Sequence, residues 1–313
     1  MYIVYNAKGI TDFVQNEVIM KQRVIIRGMA KVNLALDVLG RRENGYHDVR
    51  MIMQTVNLYD KLTLEKLEGK EIQIACNTGE LPLDDSNLIF KAARLFFEAY
   101  ETAEGVFVNL EKNIPIAAGM AGGSTDAAAT LIALNEMFDA GFTKQQLAEI
   151  GVKIGADVPY CIYGGTCLSE GIGEILTPVP NQLQCFVVIA KPEFSVSTKF
   201  VYENLHVERI ERHPDIDGML NAIHRGSLPE VADKMENILE NVTAKKYPQI
   251  EEMKECLMAN GAMKALMSGS GPTVFGIFDK EDVAEKAFEE LKKTGLVSQG
   301  TVTTFADCTG IME

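Results

Sequence analysis

Pro115-Ile116-Ala117-Ala118-Gly119-Met120-Ala121-Gly122-Gly123-Ser124-Thr125-Asp126 is the stretch around which the chain is organised. Gly119, Gly122 and Gly123 crowd into it, Ser124, Thr125 and Asp126 follow at once, and Ala127 to Asn135 is a strong helix-forming run. A glycine-rich loop that opens a helix leaves backbone N–H groups pointing outward at the positive end of the helix dipole, which suits phosphate. Glycine also lets the backbone approach a ligand closely and take φ > 0. No Gly-Lys-Ser/Thr follows the loop, and its glycines do not fit the dinucleotide pattern G-x-G-x-x-G. The competing reading is a flexible turn capped by Ser124 or Thr125. The small residues that persist through the first helical turn weigh against it.

The 313-residue length predicts about two domains at ~150 residues each. A hydrophobic fraction of 47% is ordinary for a globular protein. The net charge of −14 argues against nucleic acid as a partner, because binding a phosphate backbone needs a basic surface. A phosphorylated small molecule can still be held by local backbone dipoles and one or two lysines. Cys76, Cys161, Cys167, Cys185, Cys256 and Cys308 form no C-x-x-C pair and read as free thiols of a reducing compartment. No stretch reaches the ~18 apolar residues of a membrane span, so a soluble cytoplasmic protein without a membrane partner is expected.

Residues 1–20 lack a basic leader and an apolar core, and read as an extension ahead of Met20-Lys21 or as an added strand and helix. In Ala30 to Val38, Val32, Leu34, Leu36 and Val38 alternate with Lys31, Asn33, Ala35 and Asp37. That period puts Lys31 and Asn33 side by side on one face of a strand, the alternative being a solvated surface lysine. A polar turn follows, in which Asn44-Gly45 precedes Tyr46 and His47. Strands are expected at 49–58 and 60–66, with Tyr59-Asp60 as their turn, and at 71–76. Asn87 ends a polar run that caps a helix from Leu88 to Tyr100, and 106–110 is a strand running into the glycine loop. Thr143 and Gln146 form a capping box for a helix stopping at Gly155. Asp157, two residues before Pro159, reads locally as a helix cap, and Tyr160 to Tyr163 as a strand. A boundary is expected at 178–180, giving domains of 21–178 and 179–313. Beyond it, Cys185 to Ala190 is a buried strand, 195–205 is helical, and 227–242 and 248–260 are amphipathic helices. Lys264 to Met267 and Thr273 to Phe278 are strands joined by a second glycine turn, Ser268-Gly269-Ser270-Gly271-Pro272. A helix at 281–293 and a strand at 302–305 complete an α+β pattern with antiparallel character.

Four motifs in this order resemble the GHMP small-molecule kinases: Ala30-Lys31-Val32-Asn33-Leu34, the 115–124 loop, Gly155-Ala156-Asp157-Val158-Pro159, and the 268–272 turn. Gly45-Tyr46-His47 and Glu170-Gly171-Ile172-Gly173-Glu174 bring the likeness closest to members whose acceptor alcohol carries a cytidine diphosphate. The resemblance runs from about Met29 to the C-terminus. It implies a two-domain fold, an N-terminal domain like domain 2 of ribosomal protein S5 and a ferredoxin-like C-terminal domain, with the site between them. It implies ATP-dependent phosphorylation of such an acceptor in isoprenoid synthesis. Pro115, Ala117, Ala118, Gly119, Met120, Ala121, Gly122, Gly123, Ser124 and Thr125 would hold the phosphates of ATP, with Mg²⁺ accompanying the nucleotide and no protein metal site assigned. Lys31 and Asp157 would stand at the acceptor hydroxyl with Asn33 beside them. Tyr46 and His47 would meet the cytosine, and Tyr202 would close the base from its other face. Ser124-Thr125 stands where the family often has two serines, a change that keeps the hydroxyls. A homodimer is compatible with this reading. Homoserine or mevalonate kinases, and a nucleotide-binding relative without catalysis, are the alternatives.

Overall fold

The computed structural model describes residues 22–308 and 310–312, so the extension at 1–20 lies outside it. β1 (Arg23–Arg41) and β2 (His47–Leu67) form a long antiparallel hairpin. The expected turn at Tyr59-Asp60 does not form, and β2 runs straight through it. Asp60 is fully buried, and its carboxylate accepts the backbone N–H groups of Asn113 and Ile114 at 2.6 and 2.8 Å. Its polarity is satisfied inside the protein, which is why a turn-forming residue tolerates a strand.

β3 (Ile72–Cys76), α1 (Leu88–Tyr100) and β4 (Gly105–Glu111) make a crossover unit in which β3 and β4 pair in parallel. Asn87 caps α1 as expected, its side chain accepting from Ile89 N at 2.9 Å. The glycine loop then opens α2 (Gly122–Met137), which packs on α1 and the sheet. Phe96, Phe97, Tyr100, Phe138 and Phe142 form edge-on and tilted pairs in the core beneath. The Thr143–Gln146 capping box starts α3 (Lys144–Gly151), which ends four residues short of the expected Gly155.

Tyr160 to Tyr163 is helical, not a strand: α4 (Val158–Tyr163) has Pro159 in its first turn, where a missing N–H costs nothing. β5 (Thr166–Glu170) and β6 (Ile175–Pro178) extend the first sheet beside β2. The chain then enters a second sheet with β7 (Phe186–Lys191), followed by α5 (Thr198–Glu203). α6 (Ile216–His224), capped by Asp215, was not anticipated. The helix expected over 227–242 is interrupted: α7 (Leu228–Lys234) gives way to β8 (Glu236–Asn237) and α8 (Glu240–Lys246). The break lets β8 lie parallel to β1, and Asn237 donates to the carbonyls of Met267 and Gly269, both at 2.8 Å. α9 (Gln249–Ala259), β9 (Lys264–Met267), β10 (Val274–Phe278), α10 (Glu281–Lys293) and β11 (Gln299–Thr304) complete an antiparallel sheet of order β11-β7-β10-β9. That order, with helices at the two crossovers, is the ferredoxin-like arrangement. β12 (Ile311–Met312) returns to pair with β1. Among the described residues no helix is long and apolar enough to cross a membrane.

Candidate active site

A cleft of about 850 Å³ lies where the two sheets meet. It is lined by β1, the hairpin end at 44–47, the 115–124 loop, Asp157, α5 and the second glycine turn.

Ala121, with φ 59°, precedes α2, and no side chain caps the helix. The first amide groups of α2 are therefore left for a ligand, as the sequence suggested. Pro115, Ala117, Ala118, Gly119, Met120, Ala121, Gly122, Gly123 and Ser124 all line the cleft. Thr125 does not: it is fully buried and its hydroxyl donates to the Met29 carbonyl at 2.8 Å, tying α2 to β1. Gly119 has φ +72°, and a Cβ there would stand 2.2 Å from the Ser268 carbonyl oxygen. The Gly119 carbonyl accepts from Ser268 Oγ and from Lys31 Nζ, both at 3.0 Å. One carbonyl thus locks the two glycine turns and β1 together.

Lys31 is 4% exposed. Its ammonium also donates to Asn33 Oδ1 at 2.8 Å and stands 3.9 Å from Asp157 Oδ2. Asn33 in turn donates to Met51 Sδ at 3.2 Å. Asp157 occupies the cap position of α4, yet its carboxylate makes no capping hydrogen bond. The local reading of Asp157 holds for its position but not for its side chain, which does not do the capping.

At the other end, β1–β2 pairing sets Arg41 opposite His47. Tyr46 is 57% exposed at the cleft and does not pack under the sheet. His47 is buried, with its ring 5.1 Å from that of Tyr202 on α5. Burial first, and the Arg41 cation second, hold the imidazole below its ordinary value of 6.5. Burial, aided by the charge of Asp157, pushes the Tyr202 phenol up, so it stays neutral.

Sequence reasoning missed the support under the loop. Lys112 Nζ donates to Asp126 Oδ2 at 2.8 Å and to Asp60. One ammonium serves two buried carboxylates. Burial, opposed by Lys112 and reinforced by Asp60, pushes Asp126 up to about 8. A Cβ on Gly122 would meet Lys112 Nζ at 2.9 Å, so this glycine also makes room for the lysine beneath the loop. Ser270 and Thr198, hydroxyl to hydroxyl at 2.8 Å across the cleft wall, were also unforeseen. Neither group carries a signal in sequence, because its members lie far apart along the chain.

The chain matches the GHMP kinases N terminal domain over residues 87–165 and the GHMP kinases C terminal domain over residues 219–296. It is 51% identical over 282 residues to a 4-diphosphocytidyl-2-C-methyl-D-erythritol kinase of Lachnoclostridium phytofermentans, covering 90% of this chain and 97% of that one. A protein of the same name from Clostridium perfringens is 50% identical over 267 residues, covering 85% and 93%. A crystal structure of a 4-(cytidine 5'-diphospho)-2C-methyl-D-erythritol kinase superposes with a TM-score of 0.76 at 32% identity, over 90% of this chain and 99% of that one. A homoserine kinase from Cytophaga hutchinsonii superposes with a TM-score of 0.78 over 96% and 100%, but at 18% identity it attests the fold alone. The α+β fold in two parts is the one the resemblance implied, and the chain belongs to the GHMP kinase family.

Proposed function

We propose that the protein transfers the γ-phosphoryl group of ATP to the 2-hydroxyl of 4-diphosphocytidyl-2-C-methyl-D-erythritol, in the cytoplasm. The observation that carries this reading is the span of one cleft, with the Lys31–Asp157 pair and the phosphate loop at one end and the His47–Tyr202 ring pair at the other. The relatives at half identity bear the name of this activity.

Phosphoryl transfer asks the protein for positioning and charge stabilisation more than for covalent chemistry. The open amides of α2 and the loop glycines would hold the phosphates, and ATP enters as its Mg²⁺ complex. Among the described residues no group of three or more His, Cys, Asp or Glu is placed to hold a metal ion, and the Mg²⁺ would arrive with the nucleotide. Lys31 would offset the charge that develops on the transferring group. Asp157 would accept the proton of the acceptor hydroxyl or orient it. A neutral His47 offers one donor and one acceptor to the edge of cytosine, while Tyr46 and Tyr202 supply faces for stacking, worth ~1–3 kcal/mol per base.

The test is ATP consumption with three acceptors, the cytidyl substrate, homoserine and mevalonate. Turnover confined to the first supports the reading. Preference for either of the others reassigns the protein within its family, and no turnover with any of the three makes it a binding protein.

A further inference from the structure

Between a cytosine at His47 and a hydroxyl at Asp157, the proposed acceptor carries a diphosphate, which needs a cation in a partly enclosed cleft. Lys31, Arg41, Lys112 and Lys199 are the basic side chains lining the cleft. Lys31 stands at the transfer end, on Asn33, Gly119 and Asp157. Lys112 is held by Asp60 and Asp126, and Lys199 lies 3.8 Å from Glu203. Arg41 is the remaining cation, and among the described residues no carboxylate pairs with it. Its neighbours are committed elsewhere: Arg42 binds Asp48 at 2.6 Å, and Arg50 reaches Glu170 at 3.3 Å and Asp217 at 2.7 Å.

Along the chain Arg41 lies six residues before His47. Antiparallel pairing brings them together, because Arg41 and His47 are direct partners across the hairpin end. The cation therefore stands beside the residue read as meeting the base, on the cleft side.

We propose that Arg41 is the residue that grips the diphosphate of the acceptor, an inference that rests on the cytidyl reading above. A planar guanidinium presents paired N–H donors to phosphate oxygens, which an ammonium cannot do. It would fix the spacing between the base and the reacting hydroxyl, and so discriminate a nucleoside-diphosphate acceptor from a plain alcohol.

The experiment is calorimetric titration of cytidine and of CDP, with the nucleotide site filled by a non-hydrolysable ATP analogue. The native protein, Arg41→Ala and Arg41→Lys are compared, with thermal melts to confirm folding. The native protein should bind CDP more tightly than cytidine. Arg41→Ala should weaken CDP about tenfold, the scale of a charge-assisted hydrogen bond, and leave cytidine unchanged. Arg41→Lys should retain part of the preference. The KM of the full acceptor should rise by the same factor in Arg41→Ala, with the KM of ATP unmoved. Equal weakening of both ligands, no weakening of CDP, or no native preference for CDP overturns the role of Arg41 and leaves the cytidyl reading standing. Failure of the native protein to bind either ligand overturns the cytidyl reading and this inference together.

Discussion

Lys31 Nζ stands 3.9 Å from Asp157 Oδ2, although the two residues come from β1 and from the turn into α4. The ammonium is also bonded to the Gly119 carbonyl, so it touches the 115–124 loop and stands beside Asp157 at once. Charge that develops during transfer would fall between these groups. Lys31→Ala should therefore lower kcat by about 10²- to 10³-fold, the scale for removing a preorganised charge-stabilising donor. Ser268 still holds the Gly119 carbonyl in that variant, so the KM of ATP should change little. A large rise in that KM with kcat preserved would make Lys31 a structural tie.

His47→Ala would leave a polar edge of the bound cytosine unpaired, at ~1–3 kcal/mol. The KM of the cytidyl acceptor should rise roughly five- to 150-fold by the same energy, with the KM of ATP hardly moved. Steady-state kinetics with each substrate varied in turn decide it. Equal weakening of both substrates would detach His47 from the base.

The acidity of His47 gives a further expectation. Burial and Arg41 both disfavour the imidazolium, so the neutral ring persists below pH 6.5. If the neutral ring pairs with cytosine, the acceptor KM should rise with acid only through a range lower than that of an ordinary imidazole. Arg41→Ala removes the second cause and should bring the onset closer to 6.5. A KM that already rises with acid above 6.5 contradicts the assignment.

Gly119→Ala tests the lock between the two glycine turns. The residue has φ +72°, and the added carbon would stand 2.2 Å from the Ser268 carbonyl oxygen. Both the strained backbone and the clash oppose alanine. The melting temperature should fall by roughly 5 °C or more. An unchanged melting temperature would show that the turns are not held against each other.

The reach of the sequence is clearest residue by residue. Lys31 and Asn33 were legible because strand alternation fixes which side chains share a face, and their direct hydrogen bond follows from that. The glycine loop was legible because its composition restricts the backbone locally. Thr125 was misplaced, since the helical rotation that turns Ser124 to the cleft turns its neighbour to the core. Tyr160 to Tyr163 looked like a strand because a short buried run carries no distinguishing period. Asp60, Lys112 and Asp126 meet across separations of 52 and 14 residues, which local pattern cannot register. Arg41 and His47 are six residues apart in the chain, and only the strand pairing makes them neighbours.

The most direct measurement is kcat for Asp157→Asn with ATP and the cytidyl acceptor both saturating. The substitution keeps the shape of the side chain and removes the proton acceptor. The carboxylate makes no capping hydrogen bond but faces the buried Lys31 ammonium, so thermal melts are run alongside to confirm that the variant is folded. Turnover lowered about 10²-fold or more, with both KM values retained, is the result expected of a residue that handles the acceptor's proton. Turnover close to that of the native protein would contradict the placing of phosphoryl transfer at Lys31 and Asp157.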